Sequence, residues 1–450
     1  MTTCSDTLFH RDLNQEYPVM VRGEGIYLID DQGRRYIDGI AGAGNVILGH
    51  GNKRIATAMA KQAETLAYCF SAFYTNQPAL ELSQRIADLA PGDLNCTYFV
   101  SGGSEGIETA LKMARQFHLQ QGNKQKVRVI GRWRGYHGAT LGALSATGMP
   151  ALREPFSPWL LPFHHISPCY PYRCNFAGCE SACNYSCAHE LEKAIIQLGP
   201  DNVAAFIGEP VVQGGIAGGV PPEEYYGIVR SICDKYNVLY IADEIITGFG
   251  RTGKPFAIQH WDIVPDILVF GKAASAGYCP LSGVIASEKI RDSFRSSNDT
   301  FAHVFTYVDS PVAMRVGLTV QEILQEQKII EHAAETGRYL HELAEDKLSH
   351  HPTVGDVRGL GMLLGIELVK DRKTREPFPA AETIHKHVVK LMFERGLAAS
   401  GTGGTVDFKN GDDLRLYPPL ITTKDQIDEM LDIVDDSLNE IEKKLGVTTE

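Results

Sequence analysis

The sequence predicts an α/β protein, with a large domain built on a mostly parallel sheet covered by helices and a small α+β domain assembled from both chain ends. Three observations predict it. Short apolar, β-rich runs at 97–100, 127–130, 203–207, 238–241, 267–270 and 284–286 are separated mostly by helical or loop segments, the pattern of strands buried on both faces. Near the N-terminus, VRGEGIYLIDDQGRRYIDGIAG has β-like runs about Asp31-Gln32-Gly33, which predicts a hairpin. From about residue 311 the spacing turns helical in GLTVQEILQEQKIIEHAAETGRYLHELAEDKL.

In chain order, residues 1–50 are expected to form the N-terminal part of the small domain, 51–315 the large domain and 316–450 the rest of the small one. The run at 97–100 is followed by SGGSEGIETALKMARQFH, where Ile107, Ala110, Leu111 and Ala114 recur at helical spacing. A β segment is predicted at about 362–368, and KDQIDEMLDIVDDSLNEIEKKL closes the chain as an amphipathic helix. No internal repeat interrupts this order.

Composition removes several function classes. The net charge is −12, and no basic run could neutralise the phosphates of a duplex, so nucleic acid is not expected as a partner. The first thirty residues lack a charged segment followed by an apolar one, and about 18 apolar residues never run together, so the chain reads as soluble, cytoplasmic and without a membrane partner. Cys4, Cys69, Cys96, Cys233 and Cys279 are scattered, as thiols in a reducing compartment are. Cys169, Cys174, Cys179, Cys183 and Cys187 crowd into one stretch near His164, His165 and His189, read as an insertion over about 164–190. Steps of four residues suit a zinc site or one helix face. The expectation is a metal-free segment away from the chemistry.

Ligand chemistry on such a sheet belongs at the C-terminal ends of strands. Gly103 and Ser104 follow the first run and open a helix, where free amides attract phosphate; the same stretch also reads as an ordinary turn with Ser104 as N-cap. Tyr136, in Arg132-Trp133-Arg134-Gly135-Tyr136-His137-Gly138, follows the second run and offers an aromatic face. Asp243 and Glu244 end the fourth. In PDILVFGKAASAGYCPLSGVIAS, Lys272 follows the fifth with only small residues after it. Each alone reads as packing, capping or a surface charge. Together they meet the needs of pyridoxal 5'-phosphate (PLP): an amine for its aldehyde, a carboxylate for its pyridine nitrogen, a flat partner for its ring and amides for its phosphate.

The stretch YIADEIITGFGRTGKPFAIQHWDIVPDILVFGKAASAGYCPLSGVIAS resembles the signature of class III aminotransferases, the ω-aminotransferase-like group of fold-type I PLP enzymes. The resemblance extends from Gly23–Asp38 through FVSGGSEGIETALKMAR, WRGYHGAT, GEPVV and HVFTYVDSPVA to residues 414–422. It implies that Lys272 forms the Schiff base with the cofactor and Asp243 pairs with the ring nitrogen. It further implies that Gly103 and Ser104 hold the phosphate, Tyr136 and Ile245 flank the ring, and Glu209 lies near Asp243. Thr306 would reach the phosphate of a neighbouring subunit, implying a homodimer, with a dimer of dimers as an alternative. Arg415 would bind a substrate carboxylate.

The implied reaction is ping-pong transfer of an amino group from an amine or ω-/β-amino acid donor to a keto acid. A racemase, epimerase or aminomutase of the same class would keep Lys272 and Asp243. A non-catalytic metal-binding protein organised around the cysteines is the alternative outside it. Many amine–pyruvate members have a Leu–Trp pair where this chain has Ala43 and Gly44, so a roomier pocket is expected. Gly214 stands where 4-aminobutyrate-type members carry a glutamate that pairs with the arginine, so Arg415 is expected to lack that partner. A bulky or extended donor follows, with pyruvate as acceptor and 2-oxoglutarate as runner-up.

Overall fold

The structure, a computed structural model, describes residues 7–179 and 182–447; Cys4 lies outside them. The chain opens on an antiparallel meander of β1 (Met20–Glu24), β2 (Tyr27–Asp30) and β3 (Arg35–Asp38). Asp30 closes the predicted turn, its carboxylate accepting from the N–H groups of Gln32 (3.0 Å) and Arg34 (2.8 Å), while Gly33 takes φ +81°. Gly33 suits that turn because it has no Cβ to clash in the left-handed region.

Seven strands form the central sheet: β4 (Leu94–Val100), β5 (Arg128–Arg132), β6 (His164–Ile166), β7 (Val203–Gly208), β8 (Leu239–Asp243), β9 (Ile267–Phe270) and β10 (Ser282–Ser287). Their order is β4-β10-β9-β8-β7-β5-β6, and β10 alone runs antiparallel to its neighbours. Every residue of β7, β8, β9 and β10 is buried, which is why their sequences carry apolar runs rather than an alternation, with polar residues only at the ends of β8 and β10. The helix Gly103–Gln120 packs Ile107, Ala110, Met113 and Ala114 onto one face of this sheet. β6 has no counterpart among the predicted strands, because three residues carry no period.

After the helices Pro311–Glu326 and Ile329–Leu348 come β11 (Val354–Leu360), β12 (Leu363–Leu368), β13 (Leu397–Ala398), β14 (Ser400–Gly403) and β15 (Asp412–Leu416). A third sheet has the order β11-β12-β15-β14, while β13 pairs with β3 in parallel and so brings the two ends of the chain together. Of these strands the sequence marked only β12, since SGTG in β14 and the glycine-rich β11 lack an apolar alternation. The last helix, Lys424–Leu445, begins at Thr423 with a capping box to Gln426 and buries Ile427, Met430, Leu431, Val434 and Leu438 at helical spacing.

The cysteine-rich stretch is more tightly built in than an appended insertion. It starts on β6 and ends in the helix Ser186–Leu198, and Cys169 and Cys187 are buried in the main hydrophobic core. Tyr170 and Arg173 both bond the buried carboxylate of Glu367 on β12, so the segment ties the central sheet to the third one. Cysteine spacing alone carries no sign of that partner. No helix among the described residues is long and apolar enough to cross a membrane.

Candidate active site

Because the parallel strands share one direction, the residues that follow β4, β5, β7, β8 and β9 gather at one edge of the sheet. A cavity of about 300 Å³ opens there, the size of a small-ligand site. Nine of the eleven expected site residues line it: Ala43, Gly103, Ser104, Tyr136, Glu209, Asp243, Ile245, Lys272 and Arg415. Gly44 does not. It is buried at φ +82°, and a Cβ there would stand 3.1 Å from Ile246, itself a cavity wall. Thr306 lies exposed outside the cavity, with its carbonyl accepting from the Tyr68 hydroxyl at 2.7 Å.

Asp243 ends β8 with its side chain fully buried. One oxygen accepts from Nδ1 of His137 at 2.7 Å, and the other from the N–H of Ile245 at 3.1 Å. Nothing local in the sequence assigns His137 this role, since its partner lies 106 residues away and only strand order joins them. Glu244 points elsewhere. It accepts from the N–H groups of Ala257 (3.0 Å) and Ile258 (2.7 Å) at the start of a short 3-10 turn, so one carboxylate of the pair serves the cavity and the other the fold.

Lys272 follows β9 in the left-handed region at φ +42°, a conformation that costs a non-glycine residue energy and is common at functional sites. Its Nζ donates to the carbonyl of Ala43 at 2.9 Å. Burial, helped by the Arg251 charge, pulls the amine below its ordinary value, while Asp243 and Glu209 pull the other way. Glu209 accepts from the Tyr136 N–H at 3.2 Å, and burial pushes its carboxyl up to about 7, with the Asp243 charge adding to the rise. Gly214 packs beneath Tyr136, where a Cβ would come within 2.7 Å of the tyrosine Cβ, so no larger side chain fits unless Tyr136 shifts.

The helix Gly103–Gln120 starts without a side-chain cap, because Gly102 rather than Ser104 is its N-cap residue. Its first amides are therefore free for an anion. A Cβ at Gly103 would lie 3.0 Å from Ile245, so glycine keeps the cradle open. With an uncapped helix start, a buried acid and a shielded amine round one cavity, the donor set fits PLP.

Arg415 lines the cavity and has a partner that the sequence reading did not include. Its Nε and Nη2 bond the two oxygens of Asp413 at 2.9 and 2.8 Å, so the guanidinium already has a carboxylate partner, supplied by its own strand.

This arrangement is that of a fold-type I enzyme, and the comparisons agree. Residues 9–438 match the family model described as Aminotransferase class-III. The chain belongs to the class III aminotransferases and is an aminotransferase, in a family whose members depend on PLP. It is 38% identical over 440 residues to an uncharacterized aminotransferase of Schizosaccharomyces pombe, covering 96% of each chain. It is likewise 38% identical to the putrescine–pyruvate aminotransferase of Pseudomonas aeruginosa, over 94% of this chain and 91% of that one. Among solved structures, the ω-transaminase of Pseudomonas jessenii in complex with PMP superimposes with a TM-score of 0.88 at 34% identity, covering 96% of this chain and 94% of that one.

Proposed function

We propose that this enzyme uses PLP to transfer an amino group from an amine or ω-/β-amino acid donor to a keto acid, pyruvate before 2-oxoglutarate, in two half-reactions. The observation that carries the reading is the pairing of Lys272 and Asp243, which end the neighbouring parallel strands β9 and β8 and face one cavity. When bound, PLP supplies an electrophilic aldehyde and an electron-withdrawing ring.

The amides of Gly103 and Ser104 would hold its phosphate, Tyr136 and Ile245 would confine the ring, and Asp243 would keep the ring nitrogen protonated. His137 holds Asp243 in place through its 2.7 Å bond. Glu209, with its carboxyl titrating near 7, is about half ionised at neutral pH and so adds only part of a charge beside Asp243. The Lys272 amine, its basicity lowered by burial, takes a proton from the donor carbon at Nζ and returns it on the other side of the transfer. Half-buried apolar walls at Ile245 and Ile246 limit the access of water to that proton. Thr306, exposed on a single chain, would meet the phosphate of a second copy in a homodimer.

The relative named for putrescine and pyruvate supports an amine donor and a pyruvate acceptor. The test is spectroscopic and chemical together. The PLP-loaded protein should lose its visible band with an amine donor and regain it with pyruvate, releasing alanine. A protein that stays colourless with PLP, or whose band no donor changes, overturns the proposal.

A further inference from the structure

Resting on that reading, we infer that Asp413 is a specificity-determining residue, a built-in counter-charge that sets how strongly Arg415 attracts a substrate carboxylate. Both residues lie on β15, two positions apart and therefore on one face of the strand. Their contact is a two-pronged fork, Nε to Oδ1 at 2.9 Å and Nη2 to Oδ2 at 2.8 Å, between side chains 10% and 0% exposed. Such forks are directional and hold a guanidinium in a single pose. Asp413 is itself anchored, since Oδ1 also accepts from the Thr402 N–H of β14 at 3.1 Å.

Arg415 is thus fixed at the cavity wall with Nη1 as the nitrogen that has no partner among the described residues. A carboxylate docking there meets a cation whose charge is already balanced from behind. No acid can take over the balancing role from Gly214, which has no side chain and no room for one. A donor whose far end is an ammonium meets the same balanced pair and is not repelled. Asp413 therefore weakens the hold on keto acids and dicarboxylates while admitting amines with a cationic tail.

The consequence is an order of Michaelis constants. For pyruvate, KM should rise from Asp413→Asn through wild type and the double variant Asp413→Asn/Arg415→Gln to Arg415→Gln, with roughly tenfold between Asp413→Asn and wild type, as expected of a unit charge about two contact lengths away. For the diamine putrescine the order should reverse. A merely structural role would move both constants the same way. Each protein is assayed as PLP-loaded enzyme, with thermal melting to confirm the fold. The inference fails if Asp413→Asn leaves the pyruvate KM unchanged or raises it, or if the two substrates follow one order. Should Asp413→Asn not fold, the double variant against Arg415→Gln decides by the same rule. Absence of turnover in wild type would instead sink the proposed function, so the two failures are distinguishable.

Discussion

Replacing Glu209 with Gln tests the electrostatics of the site without any ligand. In the folded protein its carboxyl titrates near 7 rather than its ordinary 4.5, because burial, and then the Asp243 charge, disfavour the ionised form. The folded state therefore binds more protons than the unfolded one between those values, so stability is greatest below about 4.5 and falls as pH rises to about 7. A difference of roughly 2.5 units corresponds to about 3 kcal/mol over that window. Glu244, also buried and also raised to about 7, contributes a similar fall. The stability of the Glu209→Gln apoprotein should thus fall by about 3 kcal/mol less than that of wild type between pH 4.5 and 8, and that of a Glu209→Gln/Glu244→Gln protein by about twice that margin less. Denaturant midpoints at closely spaced pH values measure it. If Glu209→Gln keeps the full wild-type slope, Glu209 is already ionised in the fold at pH 5, and its place as a carboxyl held up by burial and Asp243 is wrong.

Lys272→Ala should abolish turnover and the visible absorbance of the loaded enzyme while PLP still binds through its phosphate; near wild-type transfer would remove the lysine from its role. Asp243→Asn should fold and hold PLP yet lose several orders of magnitude in rate, because an amide cannot supply the charge opposite the ring nitrogen. A loss below about tenfold, roughly 1.4 kcal/mol, would take Asp243 out of that position. Gly44→Trp, which narrows the pocket in the simplest view, should first cost stability: its φ of +82° and the 3.1 Å approach to Ile246 predict a penalty of about 1–2 kcal/mol even for Gly44→Ala. An unchanged melting temperature for Gly44→Ala would show that this turn relaxes freely. Ala43→Leu, at a position that does line the cavity, is the cleaner way to exclude large donors.

The layer architecture and the chemical groups at the strand ends are legible in the sequence. Continuous apolar runs announce β7, β8 and β9, and the residues following such runs are Glu209, Asp243 and Lys272, so a local signal places each functional group on its element. How those groups act on one another depends on the packed chain. His137 reaches Asp243 across 106 residues because β5 and β8 flank β7 in the sheet, an order no local spacing encodes. The cysteine-rich stretch became a strut because Glu367, on a separate sheet, receives Tyr170 and Arg173. Asp413 and Arg415 sit within five letters of sequence, yet β14 and β12 had to enclose β15 before the acid became the arginine's buried counter-charge. Periodicity records which face of an element avoids water, a property of each segment. Partnership between charges depends on which segments are neighbours, and that is settled only when the whole chain has packed.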